Sequence, residues 1–369
     1  MYSEEHLYSI ALRECNFIGD INFYKLVRSF GSAKNVWNIA KKDLSKTDGI
    51  GIKTVSDIGN QEHMKFAEKE LLFCEKNSIQ INLRHQNELP YLLNECDDAP
   101  AILYQKGNVD KNLNTISLVG TRNITSYGKK FIEDFFEEAK SHQFISVSGL
   151  ALGVDKEIHE HSLKHQIPTV GVLAHGFHIL YPSKNKKLSE KIIEESGCLL
   201  TEFNSSRKPD RENFIQRNRI VAGISLATIV VETAFGGGSI STATFANTYN
   251  RDVFALPGKI TDKYSQGCNH LIFQNKAMAI SSIKDLLDLI GLNAPKEKIE
   301  ELFPYSKATI QLSETQELIY RNIAKNPHIS LDDLAEKIAV PAHKILPVIL
   351  ELELLGRVKS FSGRQFIAI

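Results

Sequence analysis

The sequence predicts an α/β protein centred on a doubly wound parallel sheet, with a small helical domain before it and a helix-rich domain after it. Between residues 66 and 292, apolar runs that often end in glycine alternate with amphipathic helical segments. Strands buried on both faces read as continuous apolar runs, and the connecting helices cover both faces of a parallel sheet. Short helices with glycine turns precede this region, and three helices and two short strands close the chain.

The composition is typical of a globular protein with two or three domains. The chain has 369 residues, of which 42% are hydrophobic and 24% are charged. The opening residues lack the layout of a signal peptide, and no apolar run predicts a membrane span. The five cysteines are scattered without a CxxC pair, so we predict no zinc ribbon or disulfide framework and expect a cytoplasmic protein. Lysine plus arginine equals aspartate plus glutamate at 44 each, so an anion-binding role requires local clustering.

Residues 1–65 are expected to form short helices joined by glycine turns. The stretch DGIGIKTVSDIG places Gly49 and Gly51 directly before a helix, and the earlier stretch NFIGDINFYKLVRSFGS resembles it. A Gly-x-Gly hairpin exposes backbone N–H groups that can hold a phosphate without reading sequence. The pattern is similar to a tandem helix-hairpin-helix (SAM-like) module. The alternative is a packing domain in which the glycines only make turns.

The second predicted domain, residues 66–292, contains six clear strand candidates. They are ISLVG (116–120), FISVSG (144–149), PTVGVLA (168–174), CLLTEF (198–203), SLATIVVE (225–232) and RDVFALPG (251–258). Helical segments separate them, and the stretch 66–110 adds a helix and one or two further strands. This order predicts an extended Rossmann-like, doubly wound sheet.

A linker at residues 293–308 and a winged-helix domain at residues 309–369 are predicted to follow the sheet. The third helix of that domain, PAHKILPVILELELLG, has Lys344 as its only clear cation. Helices that read the major groove need donors such as arginine or asparagine. We therefore expect a protein contact or a spacer here. The alternative is weak duplex binding through basic residues of the wing, namely Arg357, Lys359 and Arg364.

Unusual residues collect where the predicted strands end. Gly120 and Arg122 follow the first strand, and the loop SGLALGVD follows the second. The lysines of YPSKNKKL and the segment GGGSIST follow two later strand candidates. Ligands of an open parallel sheet bind beyond the carboxyl ends of its strands. Bare helix N-termini and several cations at this edge predict a groove for anions. Each cluster alone has a structural alternative, because glycines permit tight packing and lysines are often solvated.

The segment QRNR predicts two arginines with different roles. Arg217 and Arg219 lie about 200° apart around a regular helix. We expect one of them to face the groove and the other to bind a carboxylate, and the sequence leaves open which does so. Glu202 and Glu232 end two predicted strands, and they are either partners for these arginines or a pair of carboxylates.

No catalytic or metal-binding constellation is predicted. Asp155 and His159 share a helix face without a third ligand, and Cys268 has no evident base beside it. The glycine triplet is not a Walker loop, since no lysine precedes Ser239, and it is not a GxGxxG fingerprint. We therefore predict no enzyme, no metal and no cofactor, with Asp155 as a helix cap.

Seven motifs, taken in order, resemble the DNA-processing protein A family, also called DprA or Smf. They are VGTR (119–122), SGLALGVD (148–155), YPSKN (181–185), RNRIVAG (217–223), GGSISTA (237–243), LPG (256–258) and GCNHLI (267–272). The resemblance implies a single-stranded DNA-binding protein of natural transformation that protects incoming DNA and loads the RecA recombinase. Such proteins displace single-strand-binding protein and work as homodimers through the α/β domain.

The resemblance also implies roles for individual residues. By motif position, Arg122 and Lys184 are the main cations that contact the DNA backbone. The QRNR residues shape the groove, and glycines offer amide donors. The DNA-binding residues implied in this way are Gly120, Arg122, Gly149, Gly153, Lys184, Asn185, Lys187, Arg217, Asn218, Arg219, Gly237, Gly238 and Ser239.

A nucleotide-processing enzyme on a related Rossmann-like scaffold is the alternative function. Phosphoribohydrolases of this type carry PGGxGT followed by glutamate, whereas Thr242 is followed here by ATFA. The missing carboxylate counts against glycosidic hydrolysis, which needs a placed acid or base.

Overall fold

Six helices open the chain and pack around one apolar core. Their bounds are α1 Glu4–Glu14, α2 Asp20–Phe30, α3 Ala33–Asn38, α4 Lys41–Leu44, α5 Ile52–Val55 and α6 Gln61–Lys76. The computed structural model describes residues 2–292, 312–326, 329–355, 357–361 and 365–368. Phe23, Leu26 and Val36 are buried between the helices, and the same core includes Ile81 and Tyr104 of the adjoining sheet. Residue 65, where the first predicted domain ends, lies within α6, so the helices and the sheet share a core at this junction.

The second glycine hairpin makes the expected turn before a very short helix. Gly49 has a φ of +72°, a backbone conformation that favours glycine, and Gly51 immediately precedes α5. Since α5 has only four residues, its dipole is small. Phosphate binding by this hairpin stays a prediction.

Nine strands form one sheet in the first part of the chain. They are β1 Gln80–Leu83, β2 Ile102–Gly107, β3 Asn114–Gly120, β4 Phe144–Ser148, β5 Thr169–Val172, β6 Cys198–Thr201, β7 Ala227–Glu232, β8 Asp252–Ala255 and β9 Met278–Ala279. Their order is β1-β2-β6-β5-β4-β3-β7-β8-β9. Seven neighbouring strands of this order, namely β6, β5, β4, β3, β7, β8 and β9, are mutually parallel. Strand β2 runs antiparallel to β6, and β1 runs antiparallel to β2.

The strand order reverses direction between β3 and β7. The chain proceeds outward from β3 through β4 and β5 to β6, then returns to place β7 on the other side of β3. Such a switch point leaves a crevice at the carboxyl ends of the two central strands, because the helices that follow them lie on opposite faces. The predicted doubly wound sheet is confirmed, and the position of the crevice follows from its topology.

Helices cover both faces of the sheet. They are α7 Tyr91–Asn94, α8 Ser126–Ala139, α9 Val154–Lys164, α10 Lys186–Glu194, α11 Arg211–Gly223, α12 Ser239–Thr248, α13 Gln266–Phe273 and α14 Ile283–Leu289. Phe135 of α8 and Ile158 of α9 are buried on one face. On the other face, Val221 of α11 and Ala243 of α12 pack on the strands. Burial on both faces explains why the strands read as continuous apolar runs.

The chain divides into two compact units, residues 1–294 and 295–369. The described elements of the second unit are α15 Glu314–Lys325, β10 Ile329–Ser330, α16 Leu331–Ile338, α17 Ala342–Leu354, β11 Val358–Phe361 and β12 Gln365–Ala368. Their three-stranded sheet has the order β10-β12-β11, with antiparallel pairs. Ile323, Leu334 and Ile349 are buried in its core. The predicted linker and Arg364 lie outside the described residues.

No helix in the described part of the chain is both long enough and apolar enough to cross a membrane.

Candidate nucleic-acid interface

A cleft of about 350 Å³ opens at the carboxyl ends of β3, β4 and β7, beside α11 and the start of α12. It coincides with the switch point of the sheet, where ligands of this architecture bind. Eight of the residues implied as DNA-binding line this cleft, namely Gly120, Arg122, Gly149, Arg217, Asn218, Gly237, Gly238 and Ser239.

Two glycines let the loop after β3 lie directly on the start of α9. A Cβ on Gly120 would lie 2.6 Å from the side chain of Val154, and one on Gly153 would lie 2.4 Å from the carbonyl O of Thr121. Gly153 also has a φ of +77°. The amide of Val154 donates a 3.0 Å hydrogen bond to the carbonyl O of Thr121. These contacts fix the loop that carries Arg122, so Gly153 acts here through packing.

The guanidinium of Arg122 lies over an aromatic ring at the mouth of the cleft. Arg122 is exposed, and its Cζ is 5.1 Å from the centre of the Phe214 ring. The guanidinium of Arg217 lies 5.8 Å from the centre of the same ring. The ring of Tyr181 packs edge-on against the Phe214 ring, with 5.9 Å between the ring centres. Tyr181 remains 46% exposed. The mouth of the cleft therefore combines the exposed positive charge of Arg122 with two aromatic rings.

Arg217 forms part of the cleft floor, where its nearly buried guanidinium is held by hydrogen bonds within the protein. Its Nη1 donates to the carbonyl O of Gly149 at 2.6 Å and to the carbonyl O of Val172. Its Nε donates to Oδ1 of Asn218 at 3.2 Å. Burial lowers the pKa of Arg217 to about 10, and repulsion from Arg122 adds to this shift while Asp155 opposes it. The residue remains charged at neutral pH and contributes positive potential at the floor of the cleft.

Arg219 points away from the cleft and joins the N-terminal helices to the sheet. Its Nη2 contacts a carboxylate O of Glu202 at 2.5 Å and one of Asp20 at 3.2 Å. Its Nη1 donates to the carbonyl O of Asp98. Arg219 is therefore the arginine that binds carboxylates.

Glu232 has a separate role, since it accepts a 2.9 Å hydrogen bond from the backbone N–H of Thr125 before α8.

The glycine triplet and Ser239 form the N-terminus of α12. The amide of Gly237 donates to the carbonyl O of Ala234 at 2.9 Å, so it is already used within the turn. Among the described residues, the amides of Gly238 and Ser239 donate to no backbone acceptor outside the helix. The hydroxyl of Ser239 is buried and has no hydrogen-bond partner within the described part of the chain. Donors at a helix N-terminus suit an anion such as phosphate.

Asn218 holds this turn against α11. Its side-chain amide donates to the carbonyl O of Gly238 at 3.2 Å and to Oγ of Ser241 at 2.9 Å. Because its Oδ1 also accepts from Arg217, Asn218 connects the guanidinium in the cleft floor to the start of α12. Its position fits the expectation that it shapes the groove, although contact with DNA stays a prediction.

The segment before α10 and the first turn of that helix carry two exposed lysines, and the segment is attached to the loop that lines the cleft. Asn185 is buried, and its amide donates to the carbonyl O atoms of Leu150 and Ala151 at 2.9 and 3.1 Å. Ala151 lines the cleft, so Asn185 anchors the segment beside it. Lys184, in the segment before α10, and Lys187, in the first turn of α10, are exposed but do not line the cleft itself.

Phe214 is the site residue that sequence reasoning missed. It precedes Arg217 by three positions on α11, so the two side chains are neighbours on one helix face. The signal available was an aromatic residue about one helical turn before Arg217. Tyr181 packs on the Phe214 ring and remains partly exposed.

The nucleophile and base candidates lie in environments that do not activate them. Cys268 is buried, and burial raises the pKa of its thiol to about 12. Burial lowers the pKa of His159 to about 3, with a further contribution from Arg217. The prediction of Asp155 as a helix cap is wrong, because Gly153 is the N-cap residue of α9. Asp155 instead accepts a 3.2 Å hydrogen bond from the amide of Ala151, so it holds the loop after β4.

Two family models match the chain. Residues 80–291 match the model described as DNA recombination-mediator protein A, and residues 304–364 match the DprA winged helix domain. Protein Smf of Synechocystis sp. is 32% identical over 296 residues, which cover 79% of this chain and 74% of that protein. DNA processing protein DprA of Bacillus subtilis is 35% identical over 231 residues, 62% of this chain and 75% of that protein.

Two solved structures of DNA processing protein A resemble the fold. The Streptococcus pneumoniae protein superposes with a TM-score of 0.64 at 26% identity, covering 78% of this chain and 98% of that chain. The Helicobacter pylori protein, whose structure was described for its unique single-stranded DNA binding mode, gives 0.52 at 26% identity and covers 57% of this chain and 95% of that chain. The family predicted from the motifs is confirmed, as is the winged-helix domain. The chain therefore belongs to the DNA recombination-mediator protein A family, represented by the DprA and Smf proteins.

Proposed function

We propose that this chain binds single-stranded DNA in the cleft and acts as a recombination mediator rather than an enzyme. The observation that carries the proposal is the position of Arg122. Its exposed guanidinium lies over the Phe214 ring, at the mouth of a cleft that the start of α12 also lines. Single strands are held by backbone charge and by stacking of bases on aromatic rings. The cleft offers both kinds of contact within one site.

The proposed contacts divide into direct and supporting residues. Arg122, Lys184 and Lys187 supply exposed cations for phosphates, and the amides of Gly238 and Ser239 supply neutral donors. Phe214 and Tyr181 supply stacking surfaces. The remaining residues support the site through packing or hydrogen bonds, namely Gly120, Gly149, Gly153, Asn185, Arg217, Asn218 and Gly237. Arg219 acts at a distance by attaching the N-terminal helices.

The biological role we propose is protection of incoming single strands and their transfer to a RecA-type recombinase during transformation. Relatives from Bacillus subtilis and Streptococcus pneumoniae are DNA processing proteins, and a Helicobacter pylori relative has a single-stranded DNA binding mode. The same proposal includes displacement of single-strand-binding protein and function as a homodimer. It also includes a winged-helix domain that contacts another protein. No cofactor is required for these roles.

Competition binding at several salt concentrations tests the proposal. Fluorescence anisotropy with a labelled single strand, competed by unlabelled single and double strands of the same length, should show preference for the single strand. The logarithm of affinity should fall linearly with the logarithm of salt, because phosphate binding releases counterions. Equal competition by both forms would contradict the cleft as a single-strand site. Incubation with AMP provides the second arm, and release of free base with turnover would favour the enzyme.

A further inference from the structure

A mixed set of sulfur, nitrogen and oxygen donors lies where three of the N-terminal helices meet. Cys15 follows the end of α1, Asp57 lies in the turn after α5, and His63 lies in the first turn of α6. One donor atom of each side chain, a thiol sulfur, a carboxylate oxygen and an imidazole nitrogen, lies within 4.8 Å of the other two. We propose that these three residues form a zinc-binding site.

The separations approach those that a tetrahedral ion imposes. Zinc bonds of about 2.0–2.3 Å place neighbouring ligand atoms roughly 3.3–3.8 Å apart. Nε2 of His63 now lies 2.8 Å from Oδ2 of Asp57. Sγ of Cys15 lies within 4.8 Å of the donor atoms of Asp57 and His63. Entry of an ion therefore requires the imidazole and the carboxylate to separate by roughly 0.5–1 Å, a shift within the reach of side-chain rotation.

The donor types select zinc among the common divalent ions. A thiolate and an imidazole suit zinc, whereas magnesium and calcium take oxygen ligands. Cys15 and Asp57 each bring one negative charge when they coordinate, so a dication makes the three-residue set neutral. Neutralisation matters because the Cys15 side chain is buried, where an uncompensated thiolate is costly.

One side of the site remains open to solvent. The side chains of His63 and Asp57 are 16% and 19% exposed. Cys15 and Glu14 line a neighbouring cavity of about 770 Å³. Water from this side completes a fourth position, and the cavity provides an entry path for the ion. An entry path and an available fourth ligand are both requirements of a zinc site.

Hydrogen bonds already orient the carboxylate of Asp57. Asn16 donates its backbone N–H at 3.0 Å and its side-chain amide at 2.9 Å to Oδ2, and Asn60 donates to Oδ1 at 3.2 Å. A carboxylate has about four lone-pair directions, so a metal can replace the imidazole as one of its partners. Partners of this kind hold metal-bound carboxylates in place. Without metal, the same bonds form a hydrogen-bonded cap in which His63 stays on Asp57.

The bound ion would connect segments that are distant in sequence. Cys15 precedes Asp57 by 42 positions, and the ion would link the end of α1 to the turn between α5 and α6. Because a ligand that binds only the folded state raises stability by mass action, zinc should raise the thermal midpoint of the protein. The DNA cleft shares none of these residues, so the metal site and the proposed function can fail separately.

Cobalt substitution in the full-length protein tests the site. The protein is stripped with a chelator, titrated with Co²⁺ and then competed with Zn²⁺. A thiolate ligand gives cobalt an intense near-ultraviolet charge-transfer band, which we expect in the wild type and expect zinc to abolish. Cys15→Ser should remove the band. Cys74→Ser, which alters another buried cysteine packed in the core of the N-terminal helices, should retain it.

A second variant keeps the test valid if Cys15→Ser fails to fold. His63→Gln retains a donor for Asp57, and we expect it to reduce zinc affinity at least tenfold and to remove the zinc-dependent rise in thermal midpoint. His343→Gln, at an exposed position on α17, should leave both unchanged. Absence of the thiolate band in the folded wild type, or its persistence in Cys15→Ser, would overturn the proposal. Single-strand binding measured on the same samples reports separately on the cleft.

Discussion

Arg217 occupies the space directly in front of Gly149. Nη1 of Arg217 donates a 2.6 Å hydrogen bond to the carbonyl O of Gly149, and a Cβ on Gly149 would lie 2.5 Å from Nη2 of the same guanidinium. Arg217 is only 4% exposed. The glycine after β4 is therefore required by a buried arginine, which itself forms part of the cleft floor.

Replacing Gly149 with alanine should damage stability and binding together. The new methyl group must displace the Arg217 guanidinium, and overpacking of this kind lowers the free energy of unfolding by about 1–3 kcal/mol. Chemical denaturation measures the loss, and anisotropy measures the accompanying loss of single-strand affinity.

Gly238→Ala is the matched control for that substitution. A Cβ at Gly238 has no neighbour within 4 Å, and its backbone amide is retained. We expect its free energy of unfolding to stay near that of the wild type. Equal stability of Gly149→Ala and the wild type would show that Arg217 moves freely, contrary to the packing described.

Phe214→Leu should weaken single-strand binding without changing its salt dependence. Loss of one stacking surface reduces affinity by roughly 1–3 kcal/mol per base, whereas the number of phosphate contacts stays the same. Anisotropy titrations at several salt concentrations separate affinity from slope. Tyr91→Leu, which removes an exposed aromatic ring from α7, controls for general surface effects. A changed slope in Phe214→Leu would mean that the ring positions Arg122 rather than a base.

The fold and the edge that carries the cleft could be predicted from the sequence because they depend on local patterns. The parallel strands are buried on both faces, so apolar runs such as ISLVG mark them without knowledge of the tertiary structure. Glycines at strand ends and the order of strands and helices then place the candidate residues on one edge. Gly120, Gly149 and Arg122 meet there as the sequence predicted.

The roles of the individual arginines could not be predicted, because they depend on contacts that are remote in sequence. Arg219 binds Asp20, which lies 199 positions away in the sequence, and Glu202, which directly follows β6. Arg217 is held by backbone carbonyl groups, which leave no trace in side-chain patterns. The shared core around α6 likewise depends on long-range packing, so the helical and sheet regions looked separable at residue 65.

Removal of residues 306–369 should leave most single-strand affinity intact. The cleft lies entirely within the first unit, which is compact through residue 294. Circular dichroism establishes that the shortened chain is folded, and anisotropy then compares its affinity with that of the full chain. Complete loss of binding by a folded shortened chain would place an essential DNA contact in the second unit.

His159 should make the protein less stable as the pH falls below about 6.5. Its Nδ1 lies 2.7 Å from Oγ1 of Thr169, and burial, followed by Arg217, lowers its pKa from 6.5 to about 3. Between these values the unfolded chain binds a proton that the folded chain excludes. Stability therefore falls with decreasing pH, by up to about 1.4 kcal/mol per pH unit for this residue.

Denaturation curves of His159→Gln between about pH 5 and pH 7 check this assignment. The substitution should lower the slope of the unfolding free energy against pH by the equivalent of about one proton. Other buried histidines, such as His175, should still contribute to the slope. An unchanged slope in His159→Gln would mean that His159 accepts a proton in the folded state.

The most direct test of the cleft as a single-strand site is the salt dependence of DNA binding by Arg122→Ala. Lys130→Ala, which removes an exposed cation paired with Asp134 on α8, is the control. Loss of one phosphate contact should weaken affinity and reduce the slope of log affinity against log salt by about 0.7 for a single strand. The control should retain both the affinity and the slope of the wild type. An Arg122→Ala protein with unchanged affinity and slope would contradict the proposal that the cleft holds the DNA backbone.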